Sequence, residues 1–422
     1  MAVYPSTITE NPAATQRVED RTTARPEASA AVSVALRNVA VDAYRGFVML
    51  LMLAEVLQFS KVARSFPGNL FWSILSFNQS HVEWTGMSLH DMIQPSFTFL
   101  VGVALPYSLR SRMKKGESFK AMLGHTLRRS LILIALGIFI RSIHSPQTNF
   151  TFEDTLTQIG LGYTFAFLLT MAKPRWQWIA LSAILFGYWL AWALYPLPGP
   201  GFDYAAVGVP PEWHQHLLKG FAAHWNKNSN LGLAFDQWFL NLFPRPSAFR
   251  FNGGGYLTLS FIPTLGTMLL GVIGGRWFIQ SAPKLPVQRF LMLSAALLAV
   301  GFLLHVTGIC PIVKRIWTPS WTLFSGGVCF LFLSAFTWVI DVKRNQKWAF
   351  PLLVIGMNSI AVYLMSWICE EFIQSSFQIN LGPSVLNVFG PALQPIFLGT
   401  LVLATYWLIL FWMYRKKIFL RI

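Results

Sequence analysis

Titratable side chains of this 422-residue chain gather where a polar segment meets an apolar one. His81 and Trp84 belong to the pattern His-x-x-Trp-x-Gly, and Asp91 follows just before a long apolar run. A neutral imidazole can accept a proton or an acyl group near neutral pH, and a nearby carboxylate can orient it. We therefore predict a catalytic pair, His81 and Asp91, with Trp84 beside the substrate or anchoring the chain at a membrane interface. Two simpler interpretations stay open: His81 as an ordinary interfacial residue, and Asp91 as the cap of the following helix.

Three charged residues lie in the first apolar run of the chain, Asp42 and Arg45 near its start and Glu55 deeper inside. A carboxylate as deep as Glu55 must be neutral, paired or directed into a wet cavity. We predict that Glu55 lines a cavity, with a structural hydrogen bond as the alternative. Arg45 follows Asp42 by one helical turn, so the two can pair at the interface. Arg45 is also a candidate for binding the substrate or cofactor.

Three further polar residues lie far downstream. Asn358 interrupts an apolar run, where an amide without a partner would cost on the order of several kcal/mol. It must therefore bond another helix or a ligand. Lys314 and Arg315 lie in a short segment between apolar runs, where they could hold an anionic substrate or a cofactor phosphate, or form part of a solvated loop. All three are predicted binding residues.

The composition places most of the chain in a membrane. Hydrophobic residues make up 54% of the sequence and charged residues only 12%, a balance that is rare in soluble domains. The pattern predicts an all-α integral membrane protein with about ten transmembrane helices, since each crossing needs roughly 20 apolar residues. The predicted spans are 41–60, 90–109, 128–143, 156–172, 176–195, 257–279, 288–308, 320–340, 350–373 and 393–414.

The net charge of +16 comes from short basic clusters between the apolar runs rather than from one basic face. This pattern argues against a nucleic-acid partner. The clusters occupy alternate loops, which the positive-inside rule assigns to the cytoplasm. Both termini are then predicted to be cytoplasmic, whereas His81, Lys314 and Arg315 lie on the opposite side.

The remaining segments suggest a simple domain organisation. Residues 1–36 lack apolar periodicity and are predicted to form a disordered cytoplasmic tail. Residues 37–422 are predicted to form a single polytopic membrane domain, with a long extracytoplasmic loop at about 196–255 that could act as a lid. His214 and His216 in that loop lack a third ligand at informative spacing, and the three cysteines have no metal or redox spacing. No metal site is predicted.

Four blocks in the same order resemble the heparan-α-glucosaminide N-acetyltransferase family of polytopic transmembrane acetyltransferases. Residues 41–46 match its Val/Leu-Asp-x-x-Arg-Gly opening, and residues 81–95 match its His-x-x-Trp-x-Gly followed by Asp-x-x-x-Pro. Residues 311–318 and 341–363 match two later blocks, the last of which includes Asn358.

The resemblance implies that acetyl from cytosolic acetyl-CoA is delivered to the amine of a terminal glucosamine across the membrane, with a histidine central to transfer. His81 matches that histidine, and either covalent acetyl transfer or general-base catalysis fits it. The chain also departs from the family pattern. Gln158 replaces an arginine, Glu55 lies beside the position of an asparagine, and residues 252–255 replace an Asp-Pro-Glu-Gly stretch. These departures leave the acceptor open.

We therefore predict a membrane acyltransferase that moves acetyl from acetyl-CoA to an amino sugar or related glycan outside the cytoplasm, by N-acetyl or O-acetyl transfer. Its predicted partners are acetyl-CoA, the acceptor and the lipid bilayer, and the chain could form a homodimer. The compact chain suggests a bacterial inner-membrane protein. A transporter or flippase for a sugar or lipid-linked precursor is the alternative, although the sequence shows no corresponding pair of Gly- or Pro-broken helices. An assembly subunit is a third hypothesis.

Overall fold

The apolar runs fold into helices because a backbone inside a bilayer must satisfy its own hydrogen bonds. The computed structural model of the protein describes residues 38–281 and 284–420, so the predicted tail lies outside the described residues. Within those ranges the chain is helical, and its strand pairing is limited to an isolated bridge. The α-helices are α1 Val39–Leu53, α2 Phe59–Ser65, α3 Leu70–Asn78, α4 Ile93–Lys114, α5 Phe119–Ser142, α6 Thr155–Met171, α7 Pro174–Ala193, α8 Leu231–Phe239, α9 Phe261–Ser281, α10 Val287–Val306, α11 Pro319–Phe336, α12 Phe350–Gly356, α13 Ser359–Ile368, α14 Glu370–Leu386 and α15 Gln394–Arg415.

The all-α membrane fold is confirmed, whereas the count of ten spans is not. Among the described residues, six helices are long and apolar enough to cross a membrane, or eight if each of two bent pairs counts as one span. The predicted spans 156–172 and 176–195 correspond to α6, which has 17 residues, and to α7. The predicted short span 128–143 is part of α5, a helix of 24 residues that begins with Ser118 as its cap. The cytoplasmic location of both termini stays a prediction.

Two predicted spans are bent where the sequence suggested continuous helices. The first run bends by 44° at Gln58, whose φ of 50° is left-handed. The Gln79 side chain joins both sides of this bend, since it accepts from the Phe59 N–H at 2.7 Å and donates to the Ala54 carbonyl at 2.5 Å. The run from 350 bends by 65° between α12 and α13, at Asn358. The first break contains neither Gly nor Pro, the residues that usually mark a break in the sequence, whereas the second follows Gly356, the last residue of α12.

The long loop at 196–255 is folded. It contains short 3₁₀ turns and α8, and polar side chains are buried at its centre. Asn228, for example, donates from its side chain to the carbonyls of Val207 and Asn252, each at 2.9 Å. Internal hydrogen bonds of this kind fix the loop over the ends of the spans.

Close packing of α4 against α9 forms the centre of the helix bundle. A Cβ atom on Gly271 would overlap the carbonyl oxygen of Phe99, and one on Gly102 would overlap the carbonyl of Met268. Small residues allow membrane helices to approach until their backbones touch. This contact positions the start of α4, where Asp91 precedes the helix.

Candidate active site

His81, Asp91 and Lys314 meet at the end of the bundle that is predicted to face away from the cytoplasm. His81 lies in the loop after α3, Asp91 lies in a 3₁₀ turn that leads into α4, and Lys314 lies in the loop between α10 and α11. His81 Nδ1 is 2.7 Å from Asp91 Oδ1. Lys314 Nζ is 3.3 Å from the same carboxylate oxygen and 3.4 Å from His81 Nε2. Residues 233 positions apart in sequence therefore form one polar centre.

A short backbone contact joins the two loops that supply His81 and Lys314. Thr85 and Val313 form an antiparallel bridge, and the Gly86 N–H donates to the carbonyl of Ile312 at 3.1 Å. Gly86 has a φ of 107°, a conformation that residues with a Cβ rarely adopt. The glycine of the His-x-x-Trp-x-Gly pattern is thus required for the turn that sets the loops together.

Asp91 is held by its own loop as well as by its charged partners. Its side chain is buried, and its Oδ2 accepts from Ser88 N–H at 3.1 Å, from Ser88 Oγ at 3.0 Å and from Val82 N–H at 3.3 Å. These bonds fix the carboxylate in one position, with Oδ1 directed at His81. The N-cap of α4 is Met92, without a side-chain cap bond. The geometry thus favours the predicted pairing of Asp91 with His81 over a simple helix cap.

Burial sets the protonation of this centre. It lowers the pKa of His81 below 6.5, and the nearby Lys314 charge acts in the same direction, although the hydrogen bond to Asp91 opposes both. Burial also lowers the pKa of Lys314 to about 8, against the attraction of Asp91. At neutral pH the arrangement is therefore a neutral imidazole beside a carboxylate and an ammonium that also contact each other, and the ammonium can readily give up its proton.

The centre opens into a cavity of about 280 Å³. Glu55, as predicted from its depth, lines this cavity and lies 3.1 Å from the Nε2 of His90, a residue that the sequence analysis did not select. The remaining lining includes apolar and aromatic side chains from several helices. A pocket that is partly apolar with a few convergent polar groups is typical of small-molecule sites.

A second polar group on the cavity wall was missed by the sequence analysis. Asp154 accepts from the Tyr363 hydroxyl at 2.9 Å and lies 3.4 Å from Arg141 Nε. Arg141 in turn stacks over Trp367, with 5.0 Å between its guanidinium carbon and the ring centroid. Burial raises the pKa of Asp154, and Arg141 opposes that shift. Tyr363 belongs to the fourth sequence block, which was the only signal for this group.

Arg315 and Trp84 connect loops and lie outside the cavity lining. The Arg315 guanidinium donates to the carbonyls of Gly254 at 2.7 Å and Val82 at 3.3 Å. Trp84 is buried and donates from Nε1 to the Trp225 carbonyl at 3.0 Å. Both residues therefore hold the loop at 196–255 next to the loop that carries His81. Arg315 is not part of a freely solvated loop.

Asn358 and Arg45 lie away from the centre. Asn358 donates to the Ile418 carbonyl at 2.9 Å and accepts from the Leu420 N–H at 3.1 Å, so the partner that its burial demanded is the C-terminal segment. Arg45 pairs with Asp42 at 3.0 Å, as its one-turn spacing predicted. The structure brings neither side chain into the cavity beside His81. Within the described ranges, no three His, Cys, Asp or Glu side chains are grouped closely enough to hold a metal ion.

The helices and this centre define the class: a polytopic membrane protein in which an accessible histidine meets a buried carboxylate and a buried lysine. Human heparan-alpha-glucosaminide N-acetyltransferase is 24% identical over 90% of this chain and 59% of its own length. The mouse protein of the same name is 23% identical over 92% of this chain and 61% of its own length. No family model matches. The chain is therefore similar to heparan-α-glucosaminide N-acetyltransferases, the family that the sequence blocks resemble, and it spans about three fifths of the length of these relatives.

Proposed function

We propose that the protein is a transmembrane acetyltransferase that moves acetyl from cytoplasmic acetyl-CoA to an amino sugar or related glycan on the opposite side of the membrane. The observation that carries the proposal is the centre formed by His81, Asp91 and Lys314 on the wall of the cavity. The names of the human and mouse relatives support the same reaction class. A bacterial inner-membrane location and a homodimer are parts of this proposal.

Asp91 selects the reactive nitrogen of His81. A carboxylate 2.7 Å from Nδ1 favours the tautomer with its proton on that atom. The lone pair then lies on Nε2, and the lowered pKa keeps it unprotonated at neutral pH. Nε2 is the reacting atom both for attack on the thioester carbonyl and for removal of a proton from the acceptor.

Lys314 supplies positive charge beside that atom. Its ammonium lies 3.4 Å from His81 Nε2 and 3.1 Å from Nδ1, and it is almost fully buried. A charge in a site that excludes water stabilises a developing oxyanion more strongly than one in bulk solvent. With a pKa of about 8, Lys314 can also give a proton to the departing coenzyme thiolate.

One structural feature favours the transporter alternative. The bends at Gln58 and Asn358 create two discontinuous helix pairs, which the sequence analysis did not predict. Discontinuous helices are common in transporters, where their ends surround a substrate near the middle of the membrane. A transporter of sugars would move its substrate without consuming acetyl-CoA, so the two functions differ in a measurable way.

The test is transfer of labelled acetyl from acetyl-CoA by the purified protein, with and without glucosamine. We expect the wild type to release coenzyme A and acetylate the sugar, and His81→Ala to lose at least a hundredfold in rate. His125→Ala is the matched control, since His125 is exposed and lies near the N-terminal end of α5. Both variants should elute and melt as the wild type does. Full activity in His81→Ala would refute the mechanism, and sugar flux without coenzyme release would favour the transporter.

A further inference from the structure

A second histidine lies against His81 on the cavity wall. The ring centroids of His81 and His90 are 4.5 Å apart. His90 is the first residue of the 3₁₀ turn before α4, and its Nε2 lies 3.1 Å from Glu55 Oε1. The Glu55 side chain is 53% exposed, whereas that of His90 is 10% exposed. Both residues line the cavity, so the pair faces the space that a substrate would occupy.

We propose that His90, oriented by Glu55, is the base that takes the proton from the acceptor while His81 carries the acetyl group. This inference rests on the proposed acetyltransferase function. It assigns a role to His90, which is not one of the residues that define the four sequence blocks. It also assigns a role to Glu55, which lies at a place where this chain differs from the family pattern.

The argument begins with the two nitrogens of His81. Asp91 engages Nδ1, so His81 offers a single lone pair, on Nε2. When that lone pair bonds the acetyl carbon, it cannot also accept a proton. The acceptor nitrogen acquires positive charge as it attacks and must lose a proton for the amide to form. A second base within reach of His81 would remove this conflict.

His90 is oriented for that role. A carboxylate at Nε2 favours the tautomer that carries its proton there, which leaves the lone pair on Nδ1. The resulting imidazolium would be stabilised by Glu55. Lys314 Nζ lies 3.1 Å from His81 Nδ1 and 3.4 Å from Nε2, where it would serve the departing coenzyme. His90 and Lys314 are therefore two separate proton-transfer groups within reach of His81.

The steps balance as follows. His81 Nε2 bonds the acetyl carbon, the carbon–sulfur bond breaks with its electron pair on sulfur, and Lys314 protonates the thiolate. The acceptor amine then bonds the acetyl carbon, the bond to Nε2 breaks with its pair returning to nitrogen, and His90 takes the proton from the new amide nitrogen. Passage of that proton to the neutral Lys314 amine, through solvent in the cavity, restores both residues.

The experiment separates the two half-reactions in a single turnover. Labelled acetyl-CoA is mixed with the wild type, His90→Gln, Glu55→Gln or the control His125→Gln, and coenzyme release and label on protein are measured before acceptor is added. The second step is then followed with glucosamine and with hydroxylamine, whose nitrogen loses its proton more readily. Melting of each variant in detergent reports on folding.

We expect His90→Gln to load acetyl at nearly the wild-type rate and to transfer it to glucosamine roughly 10²–10⁴-fold more slowly. Its deficit should shrink with hydroxylamine, which a purely structural role would not produce. Glu55→Gln should show the same pattern more weakly and provides a second test if His90→Gln misfolds. Transfer by both variants at the wild-type rate, or an equal deficit in loading and with both acceptors, would overturn the inference. A wild type that neither loads nor transfers acetyl would instead overturn the proposed function, and the inference with it.

Discussion

Replacement of Asp91 by asparagine should separate the catalytic and structural roles of the centre. The carboxylate accepts from His81 and lies 3.3 Å from the Lys314 ammonium, while Ser88 holds its other oxygen. An asparagine side chain at this position would have almost the same shape without the negative charge. The substitution therefore removes the charge that orients His81 and neutralises Lys314, with little change in packing.

The effect on stability follows from the proton of Lys314. At an effective dielectric constant of about 20, unit charges 3.3 Å apart attract by about 5 kcal/mol. Without Asp91, the pKa of Lys314 should therefore fall from about 8 to well below 7, and the side chain becomes a neutral amine. Because the wild-type lysine is protonated below pH 8, the Asp91→Asn variant loses about 1.4 kcal/mol of its free energy of unfolding for each pH unit below that value. The loss is about 1–2 kcal/mol at pH 7 and vanishes above pH 8.

The effect on turnover should be larger. Asparagine can present either its oxygen or its amide to His81, so the tautomer with a lone pair on Nε2 is no longer selected. Loss of an orienting carboxylate in comparable histidine centres reduces turnover by about 10⁴-fold, and we expect roughly 10²–10⁴-fold for Asp91→Asn. Acetyl transfer and melting in detergent at pH 6, 7 and 8.5 would measure both effects. The reasoning is refuted if the melting difference from wild type is the same at all three pH values, or if turnover changes by less than threefold.

Two further predictions concern pH and packing. Transfer should fall as the pH drops through the lowered pKa of His81, below 6.5, because protonation occupies Nε2, and fall again as the pH rises through about 8, because Lys314 loses its charge. A Lys314→Arg variant keeps its charge at high pH, so its rate should no longer fall near pH 8. A fall in rate at the same pH as in the wild type would contradict the assignment. Gly271→Ala should lower the free energy of unfolding by about 1–3 kcal/mol because its Cβ would overlap the Phe99 carbonyl. Gly124→Ala, in open space on α5, should be neutral or stabilising in the same melting assay.

The helical membrane fold followed from the sequence because apolar runs of spanning length have few other structures open to them. The bends did not follow, since Gln58 and Asn358 carry no general signal for a break. For Asn358 the decisive contact is the C-terminal segment at Ile418 and Leu420, about 60 residues away. The sequence required that its amide have a partner, and only the folded chain decided which one.

Some contacts of the candidate centre also followed from the sequence, and others depended on the folded chain. The sequence by itself predicted that His81 and Asp91 pair, because they lie ten positions apart just before one apolar run, and it determined that a carboxylate at the depth of Glu55 needs a polar environment. It could not place Lys314 beside His81, since 233 residues and several helices separate them, and it assigned no role to His90, although that residue directly precedes Asp91. Those contacts arise when the loop after α3 pairs with the loop before α11. Distances between loops depend on helix packing, which composition and local periodicity do not encode.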